Sequence, residues 1–345
     1  MSNALVLISG ATGFVGTEIA RQFVDAGFAV RATARSAGKI TDWQKANPEY
    51  ETIQWVVVED GTLPGSFTGA VKDVKYIIHC AGPFHYNFKP EDNATAMLLP
   101  AINMSKAMVD AAIAELSVEH LVITSSFAAV LKWSDLPHAG HTYAGKEWNP
   151  ATFDEAVESP NPVFVYCAAK ALGERAIWEH KDRKFRVTSI CPAMIYGPPK
   201  QAVKSMDDLN TSSQTFWSLI NGKPTDPIPA TGILTGTDVR DVAALHVRAI
   251  ETAHTVSYDR RILAMAFHSF NCHHVASLLK SFADSPEKLQ RIKNGESAAD
   301  PVYEHYVSDS SEAEALLGRP FIGADQCAKE TALRLWQLED ALKAR

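Results

Sequence analysis

Over the first two hundred positions, apolar residues come in short, nearly unbroken runs separated by longer stretches with helical spacing. The runs occupy residues 4–9, 29–34, 52–58, 76–80, 121–125 and 187–191 and are rich in Val, Ile and Leu. A run that is hydrophobic at successive positions predicts a parallel strand covered on both faces. Helical periodicity lies between them at residues 15–27, around 100–116 and over 163–179. Strand and helix alternating at this spacing predict an α/β fold built on a doubly wound parallel sheet.

The pattern degrades after "CPAMIYGPP", where Pro198, Pro199, Pro224, Pro227 and Pro229 break up the chain. A helix is predicted over residues 212–221, and "DVRDVAALHVRAIE" followed by "RRILAMAF" reads as a helix and strand returning to the sheet. The tail from residue 271 to 345 reads as mostly helical. Residues 1–192, with 239–268 returning to them, then form the sheet domain. Residues 193–238 and 269–345 form a smaller, mostly helical C-terminal part over the carboxyl ends of the strands, where open α/β sheets bind ligands.

A length of 345 residues leaves room for about two such units. With 46% hydrophobic and 21% charged residues the composition is that of an ordinary soluble protein. The net charge of -7 and the scattered basic residues give no surface for a nucleic acid or an anionic membrane. Cys80, Cys167, Cys191, Cys272 and Cys327 show no close pairing, which points to a reducing compartment. The first apolar run is too short to span a bilayer, and neither a basic stretch nor a small-residue cleavage site flanks it. A cytoplasmic location is the expectation.

The stretch "LVLISGATGFVGTEIA" reads as a strand, a glycine turn and a helix, with Gly10, Gly13 and Gly16 in G-x-x-G-x-x-G spacing. Missing Cβ atoms let backbone approach a pyrophosphate while the helix N-terminus faces its charge. The candidate dinucleotide contacts here are Gly10, Thr12, Gly13, Phe14, Val15 and Gly16. A site for NAD usually places an acid after the second strand, to accept from the ribose 2′-hydroxyl. This chain has Arg35, Ser36 and Lys39 there instead. Cations suit a 2′-phosphate, and Arg35 can stack on adenine and donate to the phosphate. NADPH/NADP+ is the cofactor these residues favour. Asp60, after the third strand, is a candidate for the adenine amino group.

The helix "VFVYCAAKALGERAIWE" puts Tyr166 and Lys170 one turn apart on one face. Alone this pair is ordinary. With "GATGFVG", "HCAGPF", "PAINMSKAMVDAA", "VITSSFAAV", "YCAAK", "YGPP", "LNTSSQ" and "DVRDVAALH" in order, the chain resembles the extended short-chain dehydrogenase/reductase family. Its branch is similar to the one holding methylglyoxal and aldehyde reductases, dihydroflavonol reductase and cinnamoyl-CoA reductase. The resemblance runs from Val6 to about Leu335 and implies a Rossmann-like fold.

It also implies a catalytic set of Ser126, Tyr166 and Lys170, with Ser125 as the alternative serine. Adding hydride to a carbonyl builds charge on oxygen, and a proton must arrive there. A free tyrosine titrates near 10. Positive charge at Lys170 is expected to lower that value, making Tyr166 the general acid in reduction and the general base in oxidation. The family implies that Lys170 also holds the nicotinamide ribose, and Ser126 is the fixed donor to the substrate oxygen. Ala81 and Gly82 of "HCAGPF" and Pro192 of "CPA" are expected against the cofactor, although the family more often has a hydroxyl residue where Gly82 stands. Phe84, Phe127 and Tyr196 are expected to line an apolar substrate pocket. Asn103 matches a family asparagine or is a structural polar contact.

Other groups read as structure. His138 and His141 have metal-like spacing without a persuasive third ligand, and "NCHH" (272–274 with Asn271) opens a helix. Phe216 and Trp217 are either a substrate wall or core of the C-terminal part. The expected reaction is NADPH-dependent reduction of a small or medium aldehyde or ketone by a monomer or homodimer. The alternatives are an NADP-dependent epimerase or dehydratase of a sugar-like substrate and a non-enzymic NADP(H)-binding redox sensor.

Overall fold

In the first strand, β1 (Leu5–Ser9), Val6 and Ile8 bury into one apolar cluster while Leu7 between them buries into another. That alternation is the geometry of a sheet covered on both faces. In the computed structural model, which describes residues 4–229, 231, 235–268, 270–295 and 305–344, β1 belongs to a seven-stranded sheet. Its companions are β2 (Ala29–Ala34), β3 (Gln54–Val57), β4 (Tyr76–His79), β5 (His120–Thr124), β7 (Arg186–Pro192) and β10 (Arg260–Ala264). The order is β3-β2-β1-β4-β5-β7-β10, every pair parallel. Strand order reverses at β1 and β4, so their carboxyl ends open the crevice where such sheets bind ligands.

One face is covered by α1 (Phe14–Asp25) and α7 (Val239–Glu251), whose Ile19, Phe23, Leu245 and Ile250 share a cluster with Val6 and Ile8. The helix α2 (Ala37–Ala46) lies at this side and buries Trp43 completely. On the other face α3 (Leu99–Ala114) packs against α5 (Pro162–Trp178). Gly173 permits that approach, because a Cβ there would lie 3.1 Å from the Ala101 carbonyl oxygen. A π-helical turn (Asn93–Leu98) leads into α3, and the Asn93 amide donates to the carbonyls of Ala156, Val157 and Ser159 at the end of α4 (Phe153–Glu158). Residues 90–114 are long and apolar enough to cross a membrane by length and composition. Here that apolarity packs a helix between sheet and α5. Each large side chain buried this way contributes about 1.5–3 kcal/mol.

The C-terminal part has its own core of Tyr196, Phe216, Leu219, Phe270, Leu279 and Trp336. It is formed by β8 (Met194–Tyr196) paired with β9 (Gly236–Asp238), and by α6 (Thr211–Ile220), α8 (Cys272–Lys280), α9 (Pro286–Arg291) and α11 (Ala324–Lys343). The expectation of a helical cap over 269–345, of which residues 269, 296–304 and 345 lie outside the described residues, needs correction in two places. The strand β11 (Val307–Asp309) pairs with β6 (Thr142–Ala144) of the sheet domain. The helix α10 (Ser311–Leu317) buries Ala313, Leu316 and Leu317 in the same cluster as α1 and α7. An apolar stripe at i, i+3, i+4 extends the coat over α7 instead of joining the cap core.

Candidate active site

The carboxyl ends of β1, β4, β5 and β7 bring the candidate residues to one edge of the sheet. After β1 the chain turns through Gly10, whose φ is +71° and whose Cβ, if present, would lie 2.9 Å from backbone atoms of Ala81. A Cβ on Gly16 would lie 2.1 Å from the Gly10 carbonyl oxygen. Only glycine fits either place. Gly13 is exposed and begins α1, which has no side-chain cap and no acidic residue in its first turn. Its first N–H groups therefore face outward as an anion site. Val15 packs against the sheet core, while Thr12, Gly13 and Phe14 line a cleft of about 480 Å³ with Ser36, Lys39 and residues of the 201–210 segment. Lys39 is exposed on this lining, Arg35 is exposed immediately before Ser36, and Ser36 caps α2 by accepting from the Lys39 N–H. No acid stands among residues 34–41. These features fit a dinucleotide carrying a 2′-phosphate.

Asp60 lies in the turn after β3 and accepts from the Thr62 N–H at 2.8 Å and hydroxyl at 2.6 Å, which hold its carboxyl below the usual range. Ala81 is fixed by a residue the sequence did not flag: Ser9 Oγ accepts from the Ala81 N–H and hydrogen-bonds His79 Nδ1 at 2.8 Å. Burial, aided by the Lys170 charge, pushes His79 down to about 3, so it is neutral. Gly82 is exposed beside it, and Pro192 is buried at the end of β7 in register with Ala264.

Ser126 follows β5 and begins a short 3-10 turn, its Oγ accepting from the Ala128 N–H at 3.1 Å. Its hydroxyl is close enough to the Tyr166 phenol to favour the ionised form against burial. Ser125 is committed elsewhere, donating to Glu174 Oε2 at 2.5 Å. The structure thus separates the two serines, and Ser126 is the one facing Tyr166. Lys170 donates from Nζ to the Thr124 carbonyl at 3.2 Å. Thr124 in turn hydrogen-bonds His246 Nε2, whose Nδ1 lies 2.7 Å from the Val242 carbonyl. Nδ1 must therefore carry the proton, leaving Nε2 to accept.

The electrostatics differ from the expectation for Lys170. Burial pushes the Tyr166 phenol above its ordinary value, Tyr86 and Cys167 add to the rise, and Ser126 opposes it. Lys170 is not among the groups that set this balance. Its own ammonium is pushed down by burial, with Cys80 and Glu174 opposing. The ammonium is directed to the Thr124 carbonyl. The Tyr166 phenol is therefore protonated at physiological pH.

Around the phenol stand Phe84, with ring centroids 5.4 Å apart, and Tyr86, at 5.5 Å. Phe84 is 48% exposed, an aromatic left open beside the proton donor. Phe127 is buried against Tyr143 and Tyr306 and forms a floor. Tyr196 is a correction: it is buried in the C-terminal core, stacked 4.3 Å from Phe270, and does not face the phenol cluster. Phe216 and Trp217 join that core also. Asn103 is exposed on α3. His138 and His141 stack at 4.1 Å and bond to Tyr143 and Glu147, and no cluster of three metal-ligating groups occurs among the described residues.

Residues 6–262 match the NAD dependent epimerase/dehydratase family. The chain belongs to that family. A putative uncharacterized oxidoreductase of Schizosaccharomyces pombe is 36% identical to it, covering 99% of this chain and 100% of that protein. The NADPH-dependent methylglyoxal reductase of Saccharomyces cerevisiae is 29% identical, covering 97% and 98%. The crystal structure of yeast methylglyoxal/isovaleraldehyde reductase Gre2 complexed with NADPH superposes with a TM-score of 0.83 at 27% identity, covering 97% of this chain and 99% of that one. Glu174, Arg261 and Tyr86 were missed in the sequence. Glu174 lies one turn beyond Lys170 on the buried side of α5, and a charged residue in a small, apolar helix was the available signal.

Proposed function

We propose that the protein is an NADPH-dependent reductase of aldehydes and ketones. A bound NADPH supplies hydride to the carbonyl carbon. Tyr166 gives its phenolic proton to the carbonyl oxygen, so the C=O π bond is replaced by C–H and O–H bonds, and solvent returns the proton to the phenol. Ser126 orients that oxygen and donates to it as charge develops. Lys170 would hold a ribose hydroxyl of the bound cofactor. Arg35, Ser36 and Lys39 receive the 2′-phosphate.

The observation that carries this reading is the protonated, half-buried Tyr166 phenol next to Ser126, at the strand ends flanking the glycine turn. The methylglyoxal reductases among its relatives support the same reaction. A dehydratase needs a free carboxylate near the serine for acid–base work. Glu174 is held by Arg261 and Ser125 and cannot serve. Purified protein should consume NADPH with members of a broad aldehyde and ketone panel. Turnover of a nucleotide-sugar with no net NADPH consumption would reverse the assignment.

A further inference from the structure

Across the 480 Å³ cleft, the glycine turn and α2 face a segment of the C-terminal part, residues 201–210. That segment is pinned at its base. The Asn47 amide donates to the Lys200 carbonyl at 3.3 Å, and Arg334 Nε donates to the Pro199 carbonyl at 3.0 Å. Further along, Asp208 accepts from the N–H groups of Lys204 and Ser205. With the backbone held, one side chain reaches across: Lys204 Nζ lies 2.7 Å from Asp42 Oδ2 on α2. The lysine is 68% exposed and the aspartate 22%.

This pairing is odd for a cleft that must take a phosphate. Asp42 is a carboxylate on the wall, one turn from Lys39 and close to Ser36, where it would repel a 2′-phosphate. Lys204 neutralises it from the far side. Asp208, the other carboxylate on the lining, already accepts backbone donors. Lys204 is therefore an exposed cation opposite Lys39, at the end of a fixed backbone, with only a solvent-screened ion pair to leave. Such a pair is weak, weaker than a charge-assisted contact to a phosphate.

We infer that Lys204, contributed by the C-terminal part, is a specificity-determining contact for the adenosine 2′-phosphate and exchanges Asp42 for that phosphate on binding. The inference rests on the proposed NADPH reading and adds to it a residue remote in sequence from the turn after β2. It makes the 2′-phosphate a tie between the sheet domain and the cap.

Binding can be read without turnover, by calorimetric titration of adenosine 2′,5′-bisphosphate, 5′-AMP, NADPH and NADH into the full chain. Lys204→Gln should raise Kd for adenosine 2′,5′-bisphosphate and NADPH about fivefold to tenfold, and leave 5′-AMP and NADH within about twofold. Asp42→Asn removes the competing carboxylate and should lower Kd for the two 2′-phosphorylated ligands about threefold, as expected for loss of one repelling charge. Both side chains lie at the cleft surface, and unchanged thermal melting will show that the variants fold. Lys204→Gln with an unchanged ratio of NADPH to NADH affinity overturns the inference. If Lys39→Gln weakens NADPH and Lys204→Gln does not, only the inference fails. If the unaltered protein binds neither NADPH nor the bisphosphate, the proposed function fails with it.

Discussion

Arg261 Nε lies 2.8 Å from Glu174 Oε1, with the two side chains only 4% and 1% exposed. The same guanidinium donates to the carbonyls of Ala129, Gly145 and Glu147 and stacks 3.8 Å from the Trp148 ring. Glu174 accepts from Ser125, the neighbour of Ser126. One buried pair thus ties β10, the helix of Tyr166 and the chain after β5 together. Removing one partner of such a pair leaves an uncompensated charge in the interior and costs about 3–5 kcal/mol. Glu174→Ala and Arg261→Ala should each lose that much in urea denaturation; a loss below about 1 kcal/mol would show that the site's frame rests elsewhere.

Tyr166 and pH form the second case. Its phenol lies above the ordinary value because it is buried, so the protonated form persists through neutral pH. Reduction uses that form and should be insensitive to the phenol between about pH 6 and 9. Oxidation of the product alcohol needs the phenolate, whose fraction rises up to about tenfold per pH unit below the pKa. Initial rates in the two directions should therefore diverge with pH, oxidation climbing while reduction stays flat. Parallel profiles would contradict the assignment of the proton to Tyr166.

Glycines 13 and 16 should separate binding from folding. A Cβ at Gly16 meets the Gly10 carbonyl at 2.1 Å, so Gly16→Ala must distort the turn and should abolish NADPH binding with a clear drop in melting temperature. Gly13→Ala meets the same carbonyl at only 3.4 Å, in an extended conformation open to alanine. Its stability should change by about 1 kcal/mol or less, while Kd for NADPH rises because the new methyl stands where the pyrophosphate approaches. Equal effects of the two substitutions would mean that the turn is not a nucleotide cradle.

Phe84 and Tyr196 are both aromatic and both expected at the pocket from sequence, yet the structure gives them different work. Phe84→Ala removes a half-exposed ring beside the phenol and should change KM for bulky carbonyls with stability nearly unchanged. Tyr196→Ala empties a place in the C-terminal core and should cost about 3–5 kcal/mol. Steady-state kinetics and denaturation on the two variants test this directly.

The contrast shows what local sequence carries. Strand β1 was legible because Val6, Leu7 and Ile8 are apolar at successive positions, and the glycine turn because its spacing sits between a strand and a helix. Tyr166 and Lys170 were legible from helical spacing plus the motif order. The partner of Glu174 was not, since Arg261 lies eighty-seven positions away, and periodicity says nothing of which distant segment closes on a helix. Tyr196 failed for a related reason: an aromatic at the end of a strand turns toward pocket or core according to the packing of α6 and α8, which no local pattern encodes. Where the Lys170 ammonium points was not legible either, because spacing places two side chains on one face without saying that Nζ donates to the Thr124 carbonyl.

The most direct measurement is Tyr166→Phe, assayed for NADPH binding by titration and for carbonyl reduction by NADPH consumption. The phenyl ring keeps the shape of the pocket and removes only the hydroxyl with its proton. Cofactor affinity should stay within about twofold while turnover falls by about 10²–10⁴-fold, the range for loss of a general acid. Turnover equal to that of the unaltered protein would contradict the account.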